Sequence, residues 1–344
     1  MNEKERLMAV LDHEEVDRVP CACPLQTGTI DLMKASGAYW PEAHVDADAM
    51  TKLARAARDL ACIESIRVPF EVSVDASAFG APTDDRRLIR QPLVLNRMVK
   101  TDVDLFNLKV PDPLMDGRVP VVLEAIRTLS NDVPDTPIIC GVIGPFMLAC
   151  QLRGEQLLMK DLSESPDIVR TLLNITTEWG IDFSIAALEA GADIICIVDS
   201  AATGEMLNQS MYDKFTWAYE RRIAKAIRGH DGRSILHICG DTSRNLELMV
   251  ETNVDGISVD HCVPMSLAKR IFHGRTAAIG NIAPITTLMT GTPLEVAQET
   301  HACLDQGADV IAPGCGFAPE TPLENMRVMA RTTRSYVRRA GGPG

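Results

Sequence analysis

From Val119 onward, short apolar runs that end in Gly, Pro, Asp or Ser alternate with amphipathic stretches of about three to five helical turns, a rhythm that dictates repeated βα units. The runs are Ile138 to Val142, Ile194 to Val198, Ile235 to Cys239, Gly256 to Val259, Ala277 to Ile279 and Val310 to Ala312. Two earlier runs, Arg18 to Cys23 and Ile66 to Phe70, bring the expected strands to eight. The lead-in Gly191-Ala192-Asp193-Ile194-Ile195 recurs as Gly307-Ala308-Asp309-Val310-Ile311, which points to one repeating unit. Eight parallel strands with outer helices predict a (β/α)8 TIM barrel over residues 1–344 as a single domain, with a doubly wound open sheet as the main competitor. The chain has neither G-x-G-x-x-G after its first strand nor G-x-x-x-x-G-K-[ST], which favours the barrel. A helix from Asn2 to Leu11 forms an N-terminal extension, and another runs from near Asp46 to around Cys62. After the second strand the periodicity fails, and about residues 75–118 read as an insertion of loops or short antiparallel strands.

Charge narrows the partners. With 47 acidic against 34 basic residues the net charge is -13, which repels phosphate backbones and anionic membranes, so neither nucleic acid nor membrane is expected as a partner. The N-terminus MNEKERLMAVLDHEEVDRVP has no apolar core of a signal peptide, and PIICGVIGPFMLACQL is broken by Gly144 and Pro145 well short of a membrane span. A cytoplasmic location with reduced thiols is expected, and Cys62, Cys140, Cys150, Cys196 and Cys303 read as small buried hydrophobes.

His237 and Cys239 flank Ile238 at the end of a strand, and period-two alternation sends both side chains to the same face. Both fall at the C-terminal end, where barrel enzymes place their chemistry. Cys315, in Pro313-Gly314-Cys315-Gly316 directly after the last expected strand, falls on that same end. One His and two Cys suit Zn(II), with the fourth tetrahedral position left open for substrate. The competing reading of the pair is a buried strand with a satisfied histidine. Asp260, at the end of the next strand, either closes the zinc shell or N-caps the helix that begins near Pro264. Asp199 either hydrogen-bonds a ligand or a zinc-bound histidine, or caps a loop.

Taken with Gln26-Thr27-Gly28-Thr29, Gly37-Ala38-Tyr39-Trp40-Pro41-Glu42-Ala43-His44, Arg67-Val68-Pro69-Phe70, His237-Ile238-Cys239-Gly240, Gly280-Asn281-Ile282 and Pro313-Gly314-Cys315-Gly316, nearly the whole chain resembles the uroporphyrinogen decarboxylase superfamily. Within it, the chain is most similar to the corrinoid-dependent methyltransferases that methylate coenzyme M in methylotrophic methanogenesis. The resemblance implies a barrel with zinc on His237, Cys239 and Cys315 and an exchangeable acid ligand at Asp260, where the family often carries glutamate. It also implies a methylcobamide presented by a corrinoid protein and the thiol of coenzyme M as acceptor. The sulfonate of that thiol calls for an arginine or backbone N–H groups, and Arg67 is the candidate, with Gln26, Thr27 and Asn281 as further hydrogen-bond donors. The decarboxylase branch carries an arginine-rich motif after its first Pro. Here the chain reads Pro20-Cys21-Ala22-Cys23-Pro24-Leu25-Gln26, which disfavours decarboxylation. Other acceptors, namely a different thiol or tetrahydrofolate, are the nearer alternatives. A corrinoid-binding module would carry Asp-x-His-x-x-Gly, which is missing.

Overall fold

Near-continuous Ile and Val make the central strands apolar on both faces, and such strands are stable only when parallel and covered by helices. The computed structural model, which describes residues 1–84 and 89–337, arranges them so. Its strands are β1 (Ile66–Val68), β2 (Thr83–Asp84), β3 (Leu93–Val94), β4 (Ile138–Ile143), β5 (Ile194–Val198), β6 (Arg233–Ile238), β7 (Gly256–Val259) and β8 (Ala277–Ile279). A parallel six-stranded sheet runs in the order β1-β4-β5-β6-β7-β8. The antiparallel pair β2 and β3 lies in the expected insertion, of which residues 85–88 fall outside the described residues.

The first and last expected strands do not form ladders. Arg18 to Cys23 and Val310 to Ala312 are joined only by isolated bridges, Cys21 to Ile311 and Val310 to Ile279. Pro20 and Pro24 remove amide donors in and beside the first segment, and in the second the bridges at Val310, Ile311 and Pro313 stay isolated, so neither sustains a ladder. The two segments still connect the sheet edges. Ala22 N donates to Ile311 O at 3.0 Å, Gly280 N to Val310 O at 3.0 Å, and Glu64 N, just before β1, to Cys21 O at 2.7 Å. The fold is thus an α/β TIM barrel with six regular strands and two minimal staves.

The repeated lead-in has a structural meaning. Asp193 accepts from Ile138 N at 2.9 Å, and Asp309 accepts from Ala278 N at 2.8 Å. Asp255, which precedes β7, does the same for Ser234 N at 2.7 Å. Each aspartate opens one strand and clamps the start of its neighbour. Each also meets a cation: Lys4, Lys269 and Arg228 respectively. The exposed ion pairs contribute little, about 0–1 kcal/mol each. The carboxylate-to-amide bonds are the stronger element, about 1.5–3 kcal/mol each. Leu11, from the N-terminal helix Glu3–Leu11, fills the barrel floor beside Gly256, where a Cβ would lie 2.9 Å from its side chain. No helix among the described residues is long and apolar enough to cross a membrane.

His44 is buried at 1% exposure with neither ring nitrogen hydrogen-bonded, and it stacks on Trp40 at 5.0 Å. Burial, aided by the charge of Arg118, pushes its pKa down to about 3. The folded chain therefore keeps this ring neutral at pH values where the unfolded chain protonates it. Its contribution is whole above about pH 6.5 and is lost toward pH 3, with a slope of about 1.4 kcal/mol per pH unit. A His44→Phe variant is expected to show a shallower acid limb in urea melts across that window. An unchanged limb would exclude the His44 assignment.

Candidate active site

β6 delivers His237 to the barrel interior, fully buried, and ends at Ile238, so Cys239, the last residue of the expected strand, sits one residue past the observed strand end. The His237 Nε2 lies 3.3 Å from Cys239 Sγ, and Cys239 Sγ lies 3.7 Å from Cys315 Sγ. All three donor atoms fall within 4.8 Å of one another. Cys315 reaches them because Gly314 has no side chain: a Cβ there would stand 2.5 Å from His261 N. On the far side of the imidazole, Nδ1 is 3.1 Å from both the Ser258 carbonyl and its hydroxyl. A carbonyl only accepts, so Nδ1 carries the proton and Nε2 presents its lone pair to the sulfurs.

The spacing fits a tetrahedral ion. With metal–sulfur and metal–nitrogen distances of about 2.3 and 2.05 Å, tetrahedral edges are about 3.8 Å for S···S and about 3.6 Å for N···S. The observed 3.7 and 3.3 Å match these to within a few tenths of an ångström. The electrostatics agree with that fit. The Cys239 thiol is pushed down to about 4, first by the hydrogen bond from Cys315, against its burial, and then by His237. Cys315 is raised well above the ordinary thiol range by that same hydrogen bond, by burial and by the charge on Cys239. For His237, burial opposes protonation, but the neighbouring Cys239 sulfur raises its pKa on balance. One sulfur is thus anionic without help, and a cation would release the second proton.

His237 and Cys315 open on a cavity of about 480 Å³, lined also by Gln26, Arg67, Glu71, Ser200, Asp260 and Phe317. Arg67, on β1, is 2% exposed, and its Nε and Nη1 have no hydrogen-bond partner. Among the described residues no carboxylate forms an ion pair with it. The ion pair that commonly neutralises a buried arginine is therefore missing. Gln26 lies at the cavity wall, where its amide donates to Phe317 O and its Oε1 accepts from Gly28 N at 2.7 Å. Thr27 is buried with its hydroxyl unpartnered.

The remaining candidates hold the scaffold. Asp260 lines the cavity, but its carboxylate accepts from Gly240 N at 2.9 Å and Cys262 N at 3.3 Å and lies 2.6 Å from His261 Nδ1. It lies outside the group formed by His237, Cys239 and Cys315, and forms a second group with His261 and Cys262. Asp199 is fully buried away from the cavity, where it accepts from Phe146 N at 3.1 Å and Met147 N at 2.6 Å at the start of helix Pro145–Arg153. Asn281 likewise does not line the cavity, because its amide donates to Asp260 O at 2.9 Å and Val263 O at 2.7 Å. Sequence reasoning overlooked Glu71 and Ser200, although a polar residue just beyond an apolar run is the expected signal of a barrel rim.

Comparison with known proteins places this geometry. The profile of the family described as Uroporphyrinogen decarboxylase (URO-D) matches residues 2–336. The chain is 38% identical to the Methylcobamide:CoM methyltransferase MtbA of Methanosarcina acetivorans, over 97% of this chain and 98% of that protein. It is 35% identical to the Methylcobamide:CoM methyltransferase MtaA of Methanosarcina barkeri, again over 97% and 98% of the two lengths. A solved structure titled methyltransferase from Methanosarcina mazei superposes with a TM-score of 0.93 at 35% identity, covering 97% of this chain and 98% of that one. The chain therefore belongs to the uroporphyrinogen decarboxylase family, and its enzyme class is methyltransferase.

Proposed function

We propose that the protein transfers a methyl group from the methyl-Co(III) centre of a methylcobamide, carried by a corrinoid protein, to the thiol of coenzyme M, with zinc held by His237, Cys239 and Cys315. The observation that carries this reading is a soft three-donor set and an unpaired buried guanidinium opening on one cavity. When bound there, zinc supplies the positive charge that keeps a thiol in its nucleophilic thiolate form at neutral pH. The chain's own residues do the rest. Arg67 receives the sulfonate and so fixes which end of the small thiol faces the sulfurs of Cys239 and Cys315. Leu25, Val72, Val198 and Phe317 keep the walls apolar and exclude water from the thiol. Ser258 holds His237 in one tautomer. The methyl group passes without its bonding electrons, which remain on cobalt as Co(I), and the thiol proton leaves to solvent. A folate nitrogen or a carboxyl leaving as CO2 needs no such soft donor set, so neither a folate acceptor nor decarboxylation is favoured by the geometry.

The test combines metal analysis with the absorbance of cob(I)alamin formed from methylcobalamin on addition of coenzyme M. One zinc per chain and thiol-dependent Co(I) release are expected. Absence of release from zinc-loaded protein would overturn the reading. Asp260 is a separate question. Since its carboxylate steadies Gly240, next to Cys239, the Asp260→Asn variant is expected to weaken zinc binding by about 10–100-fold while saturating at the same stoichiometry. A stoichiometry below one at saturating zinc would make Asp260 a required ligand.

A further inference from the structure

A second guanidinium, which does not line the cavity, pairs with a residue of its wall. Arg118, 47 residues beyond Glu71 and at the start of helix Val119–Asp132, reaches the Glu71 carboxylate, with Nη1 2.5 Å from Oε1. Glu71 is itself 2% exposed and lines the cavity. Its second oxygen accepts from both the amide and the hydroxyl of Ser73, and Arg118 Nη2 donates to that same hydroxyl at 3.0 Å. Glu71 thus pairs with Arg118 and Ser73 and forms neither a hydrogen bond nor an ion pair with Arg67, on which its charge acts only at longer range. The other carboxylate on the cavity wall, Asp260, is taken up by Gly240, Cys262 and His261. The guanidinium of Arg67 is also fixed in place, because Gly141 on β4 leaves it room: a Cβ there would lie 2.0 Å from Nη2.

Around Arg67, two guanidiniums and the carboxylate of Glu71 leave a single uncompensated positive charge; the Asp260 carboxylate, held by neutral amides elsewhere on the wall, does not act on Arg67. We propose that Glu71 is a specificity residue that sets this charge count, neutralising Arg118 so that Arg67 alone faces the ligand and the cavity selects thiols ending in a monoanion over those ending in a dianion. A second negative charge on a ligand would be stripped of water with no partner, which is strongly unfavourable in a buried site. The selection is therefore by rejection as well as attraction. The inference rests on the reading of Arg67 as the group that receives the anionic end of the thiol.

Calorimetric binding to the zinc-loaded protein tests both ideas and separates them. The probes are 2-mercaptoethanesulfonate as the monoanion, 2-mercaptoethylphosphonate as the dianion at pH 8, and 2-mercaptoethanol as the neutral thiol. The wild type is expected to bind the sulfonate at least ~10-fold more tightly than either of the others, and Glu71→Gln to shift the phosphonate-to-sulfonate affinity ratio by ~30-fold toward the phosphonate. Equal wild-type affinity for the sulfonate and the neutral thiol would overturn the role of Arg67. A sulfonate preference in the wild type with an unmoved ratio in Glu71→Gln would overturn the charge count alone. Should Glu71→Gln fail to fold, the wild type still decides. Phosphonate affinity, normalised to sulfonate, must fall as the phosphonate loses its second proton, and a flat profile overturns the proposal.

Discussion

Alanine at Cys239 or at Cys315 is expected to strip the protein of zinc and to lower methyl transfer by about a thousandfold or more, with the fold intact. The size of the effect follows from comparison with milder lesions. Losing a group that merely orients a ligand typically weakens metal binding by about 10–100-fold, and loss of a ligand from a three-donor set must exceed that. The fold survives because both sulfurs sit past the strand ends and are partly exposed, so truncation leaves no core cavity. The two variants should differ in one respect. Without metal, Cys239 is the anionic sulfur and Cys315 its hydrogen-bond donor, so Cys239→Ala also removes the charge that raises the pKa of His237. Metal analysis, circular dichroism and cob(I)alamin release check all of this, and full activity with stoichiometric zinc in either variant would break the ligand assignment.

The second large effect runs in opposite directions for activity and stability. Arg67→Met is expected to raise the KM for coenzyme M by about 100-fold or more, in line with the 2–5 kcal/mol lost when one partner of a buried charge pair is removed. The same substitution should raise the melting temperature of the ligand-free protein, since an unpaired buried guanidinium is replaced by an apolar chain of similar reach. Exchange of buried ion pairs for packed hydrophobes is neutral or stabilises by about 1–4 kcal/mol, and a guanidinium without a partner has no Coulombic gain to lose. Lysine is not expected to rescue binding, because it lacks the planar fork that matches a sulfonate. A destabilised Arg67→Met protein with unaltered KM would mean that the guanidinium serves the core.

Much of the fold was legible because buried parallel strands announce themselves as apolar runs, and β4 to β8 each coincide with one. The first and last staves were overread, since prolines at 20 and 24 interrupt the first and the last pairs only through isolated bridges, although the hydropathy of both looks strand-like. The grouping of His237, Cys239 and Cys315 was readable from alternation along one strand and from the glycines around Cys315. What escaped is of a different kind. Asp199 and Asn281 hydrogen-bond to backbone groups of distant segments, and nothing in a sequence marks which amide or carbonyl a side chain will meet. The isolation of Arg67 is a missing contact, a property of three-dimensional neighbourhoods alone. Glu71 and Arg118 become a pair only once β1 and the helix Val119–Asp132 are docked.

The aspartate clamps at the strand starts have an evolutionary implication. Asp193, Asp255 and Asp309 tie neighbouring strands at the barrel floor through backbone amides, which every residue but proline offers, so the clamps place almost no demand on side chains elsewhere. Substitutions at the opposite end, where the candidate site lies, can then accumulate without loosening the ring. Such a barrel can change its clientele while keeping its architecture. Variants that exchange the loops above the cavity, rather than those that touch the floor, are where altered acceptors should be sought.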